Sequence, residues 1–587
     1  MSFTSRKSVR VLSILLVLTV AFSLLLLLPP VQGLFISAGE RLKGRELNGG
    51  HWRTALSSLS LCVILFSAIA GALFSAAVKF SGIAGLAAAV NGSRVKGRYI
   101  AVAFFLLTLL AAGAYITAGH DWGDDFSEYI QQGICIAEGT YGTEYAGNAL
   151  FTGYPHGFPL LIAAVYRLFG FNLLAFKMIN VVFYAAFVAV FFLYCDARLK
   201  RLAAITASFL FAFSPCLYKL LDCILSDTVS MVLAFFGLAF ISLFFEEEQG
   251  SRRLLYSVAA GFFSGLAYVF RDSGIILPCT LAFVQLVRLV RLLKSGKLKA
   301  GLASVAVNLL PYVVFLLLGC TFNRLLFPLA GRNDMGILNE MNLTGLLVNS
   351  WYYFDRLSFF FYPKFIWFAV FTAVAWAMLR TLWRNMPFVI YFLGIMAMYI
   401  IWPGGGQGIR YVVSVLPVIV FLGGRAVELL CGPGGGSGGS QQSPRPLFVF
   451  NWQSYALLAA LLCASSLSVC LVADVRNLVS GRKTDINSFS KDAVEMYQYM
   501  DDTVADEKRI YFFKPRLLHM TTGNAAVYCP PGHPVDVEFD YYLHTFDHGY
   551  GQLLADEQAR AGSFSFGGHE FTCVHENATM KLFQRTE

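Results

Sequence analysis

The chain has 587 residues, of which 57% are hydrophobic and only 14% are charged, and its mean hydropathy is +0.61. A soluble globular domain carries about a quarter charged residues, so this composition excludes that class and indicates a polytopic membrane protein. The net charge of +9 does not indicate nucleic-acid binding, because the basic residues lie in short loops between apolar segments, where they orient a membrane chain.

Apolar segments predict the membrane-spanning helices, since about 20 apolar residues cross a hydrocarbon core. Basic residues near the N-terminus and in alternate loops predict a cytoplasmic start, although the basic loop at 31–53 departs from this pattern. The first segment also resembles a signal peptide, but its apolar run exceeds the usual ~7–15 residues, which favours an uncleaved anchor. Thirteen spans are predicted, at 11–30, 54–78, 99–118, 173–194, 202–218, 229–245, 254–270, 273–290, 301–320, 365–379, 387–402, 411–430 and 452–473.

The outer loop predicted at 119–172 is unusually polar for so hydrophobic a chain. Its start, GHDWGDDFSEYI, places Asp124, Asp125 and Glu128 just beyond an apolar run and therefore at the membrane surface. Carboxylates are costly to hold near lipid, and loops longer than about 15 residues are usually functional or disordered. The sequence therefore predicts an ion path, a substrate site or a catalytic base in this loop.

Charged residues from distant parts of the chain are predicted to lie on the same outer side. Asp222 and Asp227 lie in LLDCILSD, Arg271 and Asp272 form a tight turn between two spans, and Arg410 ends WPGGGQGIR. Carboxylates can deprotonate a hydroxyl, and arginines bind phosphate through fixed pairs of donors. This combination suits the transfer of a group from a phosphate-bearing lipid. The alternative is that such residues are solvated turn charges, and Asp222 and Asp272 are predicted to be structural.

The end of the chain changes in composition. Residues 431–451 begin CGPGGGSGGSQQSPRP and predict a flexible cytoplasmic linker before the last span at 452–473. Residues 474–587 contain many charges and predict a small α/β domain outside the cytoplasm, which is too poor in motifs to be an enzyme by itself. This domain is predicted to contain a helix at 490–500 and strands at 509–513 and 570–583.

Four stretches resemble, in the same order, segments of the GT-C glycosyltransferases, specifically of the protein mannosyltransferase and aminoarabinose transferase group. They are DDFSEYIQQGICIAEG followed by YPHGFPLLIAAVYRLFG, then SPCLYKLLDCILSDTVSM, GFFSGLAYVFRDSGIIL and GQGIRYVVSVLPVIV. The resemblance covers roughly residues 99–430, the predicted catalytic core, with 1–98 as N-terminal anchor segments. The predicted fold is therefore an all-α, GT-C-like polytopic membrane protein with a small extracytoplasmic α/β C-terminal domain.

The resemblance implies a sugar donor carried on a polyprenyl phosphate, an acceptor that enters from outside, and an inverting displacement at the anomeric carbon. It implies Asp125, four residues before Tyr129, as the catalytic base, with Asp124 as the neighbouring alternative. Asp227 takes the position of the second acid of the family.

Arginines are the predicted partners of the donor phosphate. Arg410 is the first candidate, because charge that develops on the leaving phosphate needs fixed donors, and Arg271 is a second, weaker one. The other residues predicted to bind substrate in these stretches are Glu128, Tyr129, Tyr154, His156 and Tyr411.

The leading interpretation is a hexosyl or pentosyl transferase of the plasma (inner) membrane with an extracytoplasmic active site. Its predicted partners are a polyprenyl-phosphate sugar, a glycan, lipid or protein acceptor, and membrane lipids, with no nucleic acid. A lipid-linked oligosaccharide polymerase or a transporter is the alternative, but transporters place charges near the bilayer midplane and often show repeats. A structural or sensory protein would leave the acidic loop unexplained. No cofactor is certain, since an aspartate pair can hold a divalent cation or act without one.

Overall fold

A computed structural model describes most of the chain. The described residues are 19–43, 49–79, 83–145, 153–247, 250–295, 305–327, 342–361, 366–402, 408–431, 452–479, 488–528, 538–546 and 551–586. The predicted linker, from 432 to its end, lies outside the described residues, as do the first eight positions of the predicted span at 11–30.

Long apolar helices form the membrane part, and the chain is a multi-pass membrane protein. Among the described residues, seven helices are long and apolar enough to cross a membrane, or up to nine if each of two bent pairs is one span. The seven are Gly97–Tyr115, Leu173–Asp196, Asp227–Glu246, Ser251–Phe270, Asp272–Lys294, Val413–Cys431 and Ser454–Val475, and the bent pairs are Thr19–Leu25 with Pro29–Ser37 and Arg201–Ala212 with Pro215–Leu221.

Shorter apolar helices of 10–17 residues accompany these spans. Four of them coincide with predicted spans. If these four also cross the membrane, they and the nine spans above make the predicted thirteen, and this number stays a prediction. The fifth, Gly157–Phe169, lies in the outer loop, which also contains the helix Asp125–Glu138 and a π-helical turn at Tyr141–Tyr145. The other four short helices are Ala55–Ile69 (within Gly49–Lys79), Val305–Cys320, Ile366–Thr381 and Met386–Ile401. Further helices of this part include Ile83–Asn91 and Leu343–Ser358, and the span Ser454–Val475 lies within the helix Trp452–Val479.

Aromatic side chains fill the core between the membrane helices. Phe187 and Phe191 each pack edge-on against Phe211 and Phe235, with ring centroids 5.0–5.4 Å apart. Such edge-to-face pairs contribute about 0.5–1.5 kcal/mol each beyond the burial of their area. These contacts join three helices and fix the one that begins at Asp227.

The C-terminal region is the predicted small α/β domain. Its helices Lys491–Thr503 and Pro515–Thr522 accompany a six-stranded sheet. The strands are β1 Arg509–Tyr511, β2 Ala525–Val527, β3 Tyr541–Thr545, β4 Ser563–Phe566, β5 His569–Glu576 and β6 Met580–Thr586. Their order in the sheet is β2-β1-β3-β6-β5-β4, in which β1 pairs in parallel with β2 and β3 and the other neighbours are antiparallel.

The C-terminal domain packs on the start of the outer loop. The buried Trp122 ring contacts Phe512 and Phe513, with ring centroids 6.0 and 5.4 Å away. The Ser488 hydroxyl donates to the backbone oxygen of His120 at 2.7 Å. These apolar and polar contacts bring the domain next to the helix that begins at Asp125.

Candidate active site

Two acids lie at the N-termini of two helices. Asp125 is the first residue of the outer-loop helix Asp125–Glu138, and Asp227 is the first residue of the buried membrane helix Asp227–Glu246. The positive end of the helix dipole stabilises a carboxylate at this position. The Tyr129 hydroxyl lies 2.8 Å from the Ser226 hydroxyl, so the residue one turn after Asp125 is tied to the residue before Asp227. This hydrogen bond holds the two N-termini together.

Two arginines join the acids. Arg410 Nη1 lies 2.7 Å from Asp125 Oδ2, and its Nε lies 3.4 Å from Asp227 Oδ2. Arg271 Nη1 lies 2.6 Å from Asp227 Oδ1, and the Asp227 side chain is buried. We call these four residues the Asp–Arg cluster. Arg410 thus bridges two predicted acids, although it is 285 residues from Asp125 in sequence.

Tyr154, a predicted substrate-binding residue, is held against this cluster. Its hydroxyl donates to Asp125 Oδ1 at 2.8 Å, and its ring stacks on Tyr129 with the centroids 4.7 Å apart. The backbone N–H of the preceding residue, Gly153, donates to Glu128 Oε1 at 2.9 Å. Both oxygens of Asp125 therefore have a donor, one from Tyr154 and one from an arginine.

Tyr411 lies beside the arginines of the cluster. The Arg271 guanidinium lies 5.0 Å from the centre of the Tyr411 ring, within cation–π distance. The ring also stacks on Tyr399, with centroids 4.9 Å apart. Tyr411 therefore supports Arg271, while its predicted contact with substrate stays a prediction.

His156 is buried in the folded outer loop. Its Nε2 lies 2.9 Å from the Tyr141 hydroxyl, and its ring stacks on Phe327 with centroids 4.9 Å apart. These contacts place His156 in the packing of the loop, and its role toward substrate stays a prediction.

Sequence reasoning missed one charged residue of this region, Arg516 from the C-terminal domain. Its Nη1 lies 2.9 Å from Glu128 Oε2 and 3.8 Å from Asp125 Oδ1, and its Nε lies 3.7 Å from Asp124 Oδ2. Glu128 is fully buried. The predicted outward position of both the domain and the acidic loop was the only sequence signal that could have connected them.

The environments of the two adjacent aspartates separate their pKa values. Burial raises the pKa of Asp124 above its usual value, against the opposing effect of the nearby Arg516. Burial acts in the same direction on Asp125, but Arg410 and Tyr154 outweigh it and lower the pKa of Asp125. Asp125 is therefore ionised at neutral pH, as a proton acceptor must be.

A second cluster of charges, the Lys177 cluster, consists of Lys177, Asp222, Thr117 and Gly119. The fully buried Lys177 Nζ donates to the Thr117 and Gly119 backbone oxygens at 3.0 and 2.6 Å and to Asp222 Oδ1 at 2.7 Å. Asp222 also accepts from the Thr117 backbone N–H at 2.7 Å. These bonds tie the end of one apolar helix to its neighbours, in keeping with the structural role predicted for Asp222.

The described residues contain no group of three or more His, Cys, Asp or Glu side chains arranged to hold a metal ion. The acids Asp124, Asp125 and Glu128 face guanidinium groups instead.

Comparisons with known proteins agree with this architecture. The model of the dolichyl-phosphate-mannose-protein mannosyltransferase family matches residues 154–315, which include Asp227 and Arg271. The structure is similar to that of ArnT from Cupriavidus metallidurans bound to undecaprenyl phosphate, with a TM-score of 0.53 and 14% identity over 82% of this chain and 97% of that chain. The chain has the GT-C fold.

Further GT-C structures are similar to this chain. ArnT from Cupriavidus metallidurans in the apo state gives a TM-score of 0.51 at 13% identity, over 82% of this chain and 97% of that chain. The oligosaccharyltransferase from Archaeoglobus fulgidus in the apo form gives a TM-score of 0.51 at 12% identity, over 76% of this chain and 70% of that chain. A search of curated protein sequences finds no significant match. The similarity confirms the predicted GT-C fold class.

Proposed function

We propose that this GT-C protein is a membrane glycosyltransferase that moves a hexosyl or pentosyl group from a polyprenyl-phosphate donor to an extracytoplasmic acceptor. The acceptor is a glycolipid, a polysaccharide or a protein. The observation that carries the proposal is the Asp–Arg cluster, in which the ionised Asp125 pairs with Arg410, and Asp227 pairs with both Arg410 and Arg271, at the ends of apolar helices. A polyprenyl phosphate carries its charge where lipid meets water, which matches this position, and the ArnT structure with undecaprenyl phosphate has the same fold.

The arginines suit a donor phosphate. A guanidinium has five N–H donors in a planar fork, which is more than the ion pairs of the cluster use. When the bond between the anomeric carbon and the phosphate oxygen breaks, the diester phosphate becomes a monoester and gains a negative charge. Arg410 and Arg271 are placed to stabilise that charge, and Asp227 holds both guanidinium groups in position.

Asp125 is the proposed base. The acceptor hydroxyl gives its proton to the Asp125 carboxylate, its oxygen forms the new bond to the anomeric carbon, and polyprenyl phosphate leaves from the opposite face, so the configuration is inverted. A donor phosphate at Arg410 competes with Asp125 for the same guanidinium and weakens that ion pair. Because Arg410 lowers the pKa of Asp125, donor binding makes the carboxylate a better base.

The position of the cluster favours a transferase over a transporter. Asp227 is the first residue of its helix, and Arg271 follows directly after the helix Ser251–Phe270. A transporter places its ionisable groups near the bilayer midplane on interrupted helices.

We place the Asp–Arg cluster and the C-terminal domain on the extracytoplasmic side of the plasma membrane. The basic loops support this orientation, and the contact between Arg516 and Glu128 requires both parts to lie on one side. Protease added to intact spheroplasts should remove the C-terminal domain. Removal only after permeabilisation would contradict the orientation.

The activity can be tested without knowing the sugar. Cells that lack the protein should accumulate one polyprenyl-phosphate sugar and lose one residue from a surface glycan. Expression of the wild-type chain should reverse both changes, whereas Asp125→Asn should reverse neither. Purified protein should also release polyprenyl phosphate from the accumulated donor. Unchanged lipid-linked sugars in cells without the protein would overturn the proposal.

A further inference from the structure

One side chain of the C-terminal domain contacts the acids of the membrane part. Arg516 is the second residue of the helix Pro515–Thr522, and its Nη1 lies 2.9 Å from Glu128 Oε2. The Glu128 carboxylate is fully buried and the Arg516 side chain is 16% exposed. Because a buried carboxylate without a counterion is strongly destabilised, this pairing determines how Glu128 is held.

Glu128 transmits this contact to the backbone before Tyr154. Its other oxygen, Oε1, accepts the backbone N–H of Gly153 at 2.9 Å. Gly153 has a φ of 72°, in the left-handed region that favours glycine. The next residue, Tyr154, donates its hydroxyl to Asp125 Oδ1 at 2.8 Å. A continuous series of bonds therefore runs from Arg516 to Asp125.

We propose that Arg516 is a positioning residue of the active site: it holds Tyr154 in place through Glu128 and Gly153 and through its own contact with the Tyr154 ring, 6.0 Å from the ring centre, and so orients the Asp125 carboxylate, which lies 3.8 Å from its Nη1. The site is then complete only with the C-terminal domain docked on the outer loop. This inference rests on the proposed function and adds to it a role for the C-terminal domain.

The domain is docked by contacts that do not involve Arg516. Trp122 packs against Phe512 and Phe513, and Ser488 donates to a backbone oxygen of the outer loop. Replacing Arg516 should therefore leave the domain in place while removing the bond to Glu128. The effect of Arg516 on Asp125 can therefore be measured separately from the docking of the domain.

The pH dependence of turnover reports on that effect. The charged and titratable groups that face Asp125 are Asp124 and Glu128 from the start of its own helix, Tyr154, Arg410 and Arg516. The variant Arg516→Met removes a positive charge near Asp125 and weakens the support that Arg516 gives to Tyr154, and both changes should raise the pKa of Asp125.

We expect kcat of Arg516→Met to fall at least about tenfold at neutral pH, with the acidic limb of its pH profile about one unit higher and KM for the donor changed less than about threefold. Arg516→Lys keeps the charge, so the acidic limb of its pH profile should stay close to that of the wild-type protein. The control Arg509→Met, at an exposed position of β1 in the same domain, should behave as wild type. An unchanged pH profile for Arg516→Met, or a change in KM alone, would overturn the proposal.

Melting temperatures test the contact without any activity. If Arg516 pairs with Glu128, the losses caused by Arg516→Met and Glu128→Gln should not add, because the neutral glutamine no longer needs a counterion. Additive losses would overturn the proposal. If the wild-type protein releases no polyprenyl phosphate, the proposed function fails, and the melting temperatures alone then decide whether Arg516 is coupled to Glu128.

Discussion

The Lys177 cluster and the Asp–Arg cluster both lie at ends of the membrane helices, but their charges are used differently. In the first, a fully buried ammonium group has three donors, and backbone oxygens and Asp222 accept all three at 2.6–3.0 Å. In the second, Arg271 and Arg410 each have five donors, and their side chains are 15% and 19% exposed. A buried lysine whose donors are all accepted fixes a structure, whereas arginines with partly exposed side chains and more donors than acceptors can bind an anion.

The largest effect should come from removing the proposed proton acceptor of the Asp–Arg cluster, Asp125. Asp125→Asn keeps the size of the side chain and one accepting oxygen, but it loses the negative charge and cannot take a proton. Turnover should fall by about 10²- to 10⁴-fold, the usual contribution of a general base, while donor binding changes little. Release of polyprenyl phosphate by purified protein gives the rate. Near-normal turnover would show that Asp125 is not the base and that its carboxylate only pairs with Arg410 and Tyr154.

Breaking the Lys177 cluster should instead change stability. Asp222→Asn leaves the buried Lys177 without its carboxylate, and removing one partner of a buried pair costs about 3–5 kcal/mol; the lower end is expected, since Asp222 is 25% exposed. The double variant with Lys177→Met removes the stranded charge and should regain part of the loss. Melting temperature in detergent measures both.

The comparison between the clusters depends on the rate per folded molecule. For the folded fraction of Asp222→Asn, turnover should stay within about threefold of wild type. A large loss of turnover with an unchanged melting temperature would show that the Lys177 cluster belongs to the active site.

Part of the Asp–Arg cluster could be predicted from sequence because membrane topology is a strong constraint. Asp125, Asp227, Arg271 and Arg410 each stand at the end of an apolar segment, and the order of the segments puts all four on one side. Hydropathy alone therefore predicts which residues share a surface. It does not predict which acid faces which arginine, since that depends on how the helices pack.

The contacts of two further charged residues, Arg516 and Lys177, could not be predicted from the sequence. Arg516 could not be assigned, because its contact with Glu128 depends on the docking of two separately folded parts. Lys177 gave a signal, since a charged residue inside the apolar run at 173–194 is rare and usually paired. Its partner Asp222 could be interpreted only as a turn residue, because the pairing joins different helices.

Changing Arg410, the proposed phosphate contact, should have an intermediate effect. Arg410→Lys keeps the charge but loses the planar fork, so KM for the donor should rise about tenfold while expression is unchanged. Arg410→Gln also removes the charge that lowers the pKa of Asp125. The ionised base is lost as the pH falls through that pKa, so a raised pKa moves the acidic limb of the turnover profile to higher pH. An unchanged KM for the donor in Arg410→Lys would show that Arg410 does not bind the donor phosphate and contacts only lipid headgroups.

The smallest effect should come from Asp124, the aspartate next to the proposed base. One oxygen of Asp124, Oδ1, is buried without a hydrogen-bond partner, and the other lies 3.7 Å from Arg516. Burial raises the pKa of Asp124, because the ionised carboxylate loses hydration. Asp124→Asn removes this charge and with it the unfavourable desolvation. Turnover should change less than about tenfold, and the melting temperature should stay the same or rise.

The same two measurements separate the adjacent aspartates. A rate loss for Asp124→Asn as large as that for Asp125→Asn would mean that both carboxylates act together on the acceptor or on a bound cation. Addition and removal of divalent cations would then distinguish these two cases, since only a cation site responds to a chelator. A mild effect of Asp124→Asn beside a severe effect of Asp125→Asn leaves Asp125 as the single base, paired with Arg410 until the donor phosphate takes over that arginine.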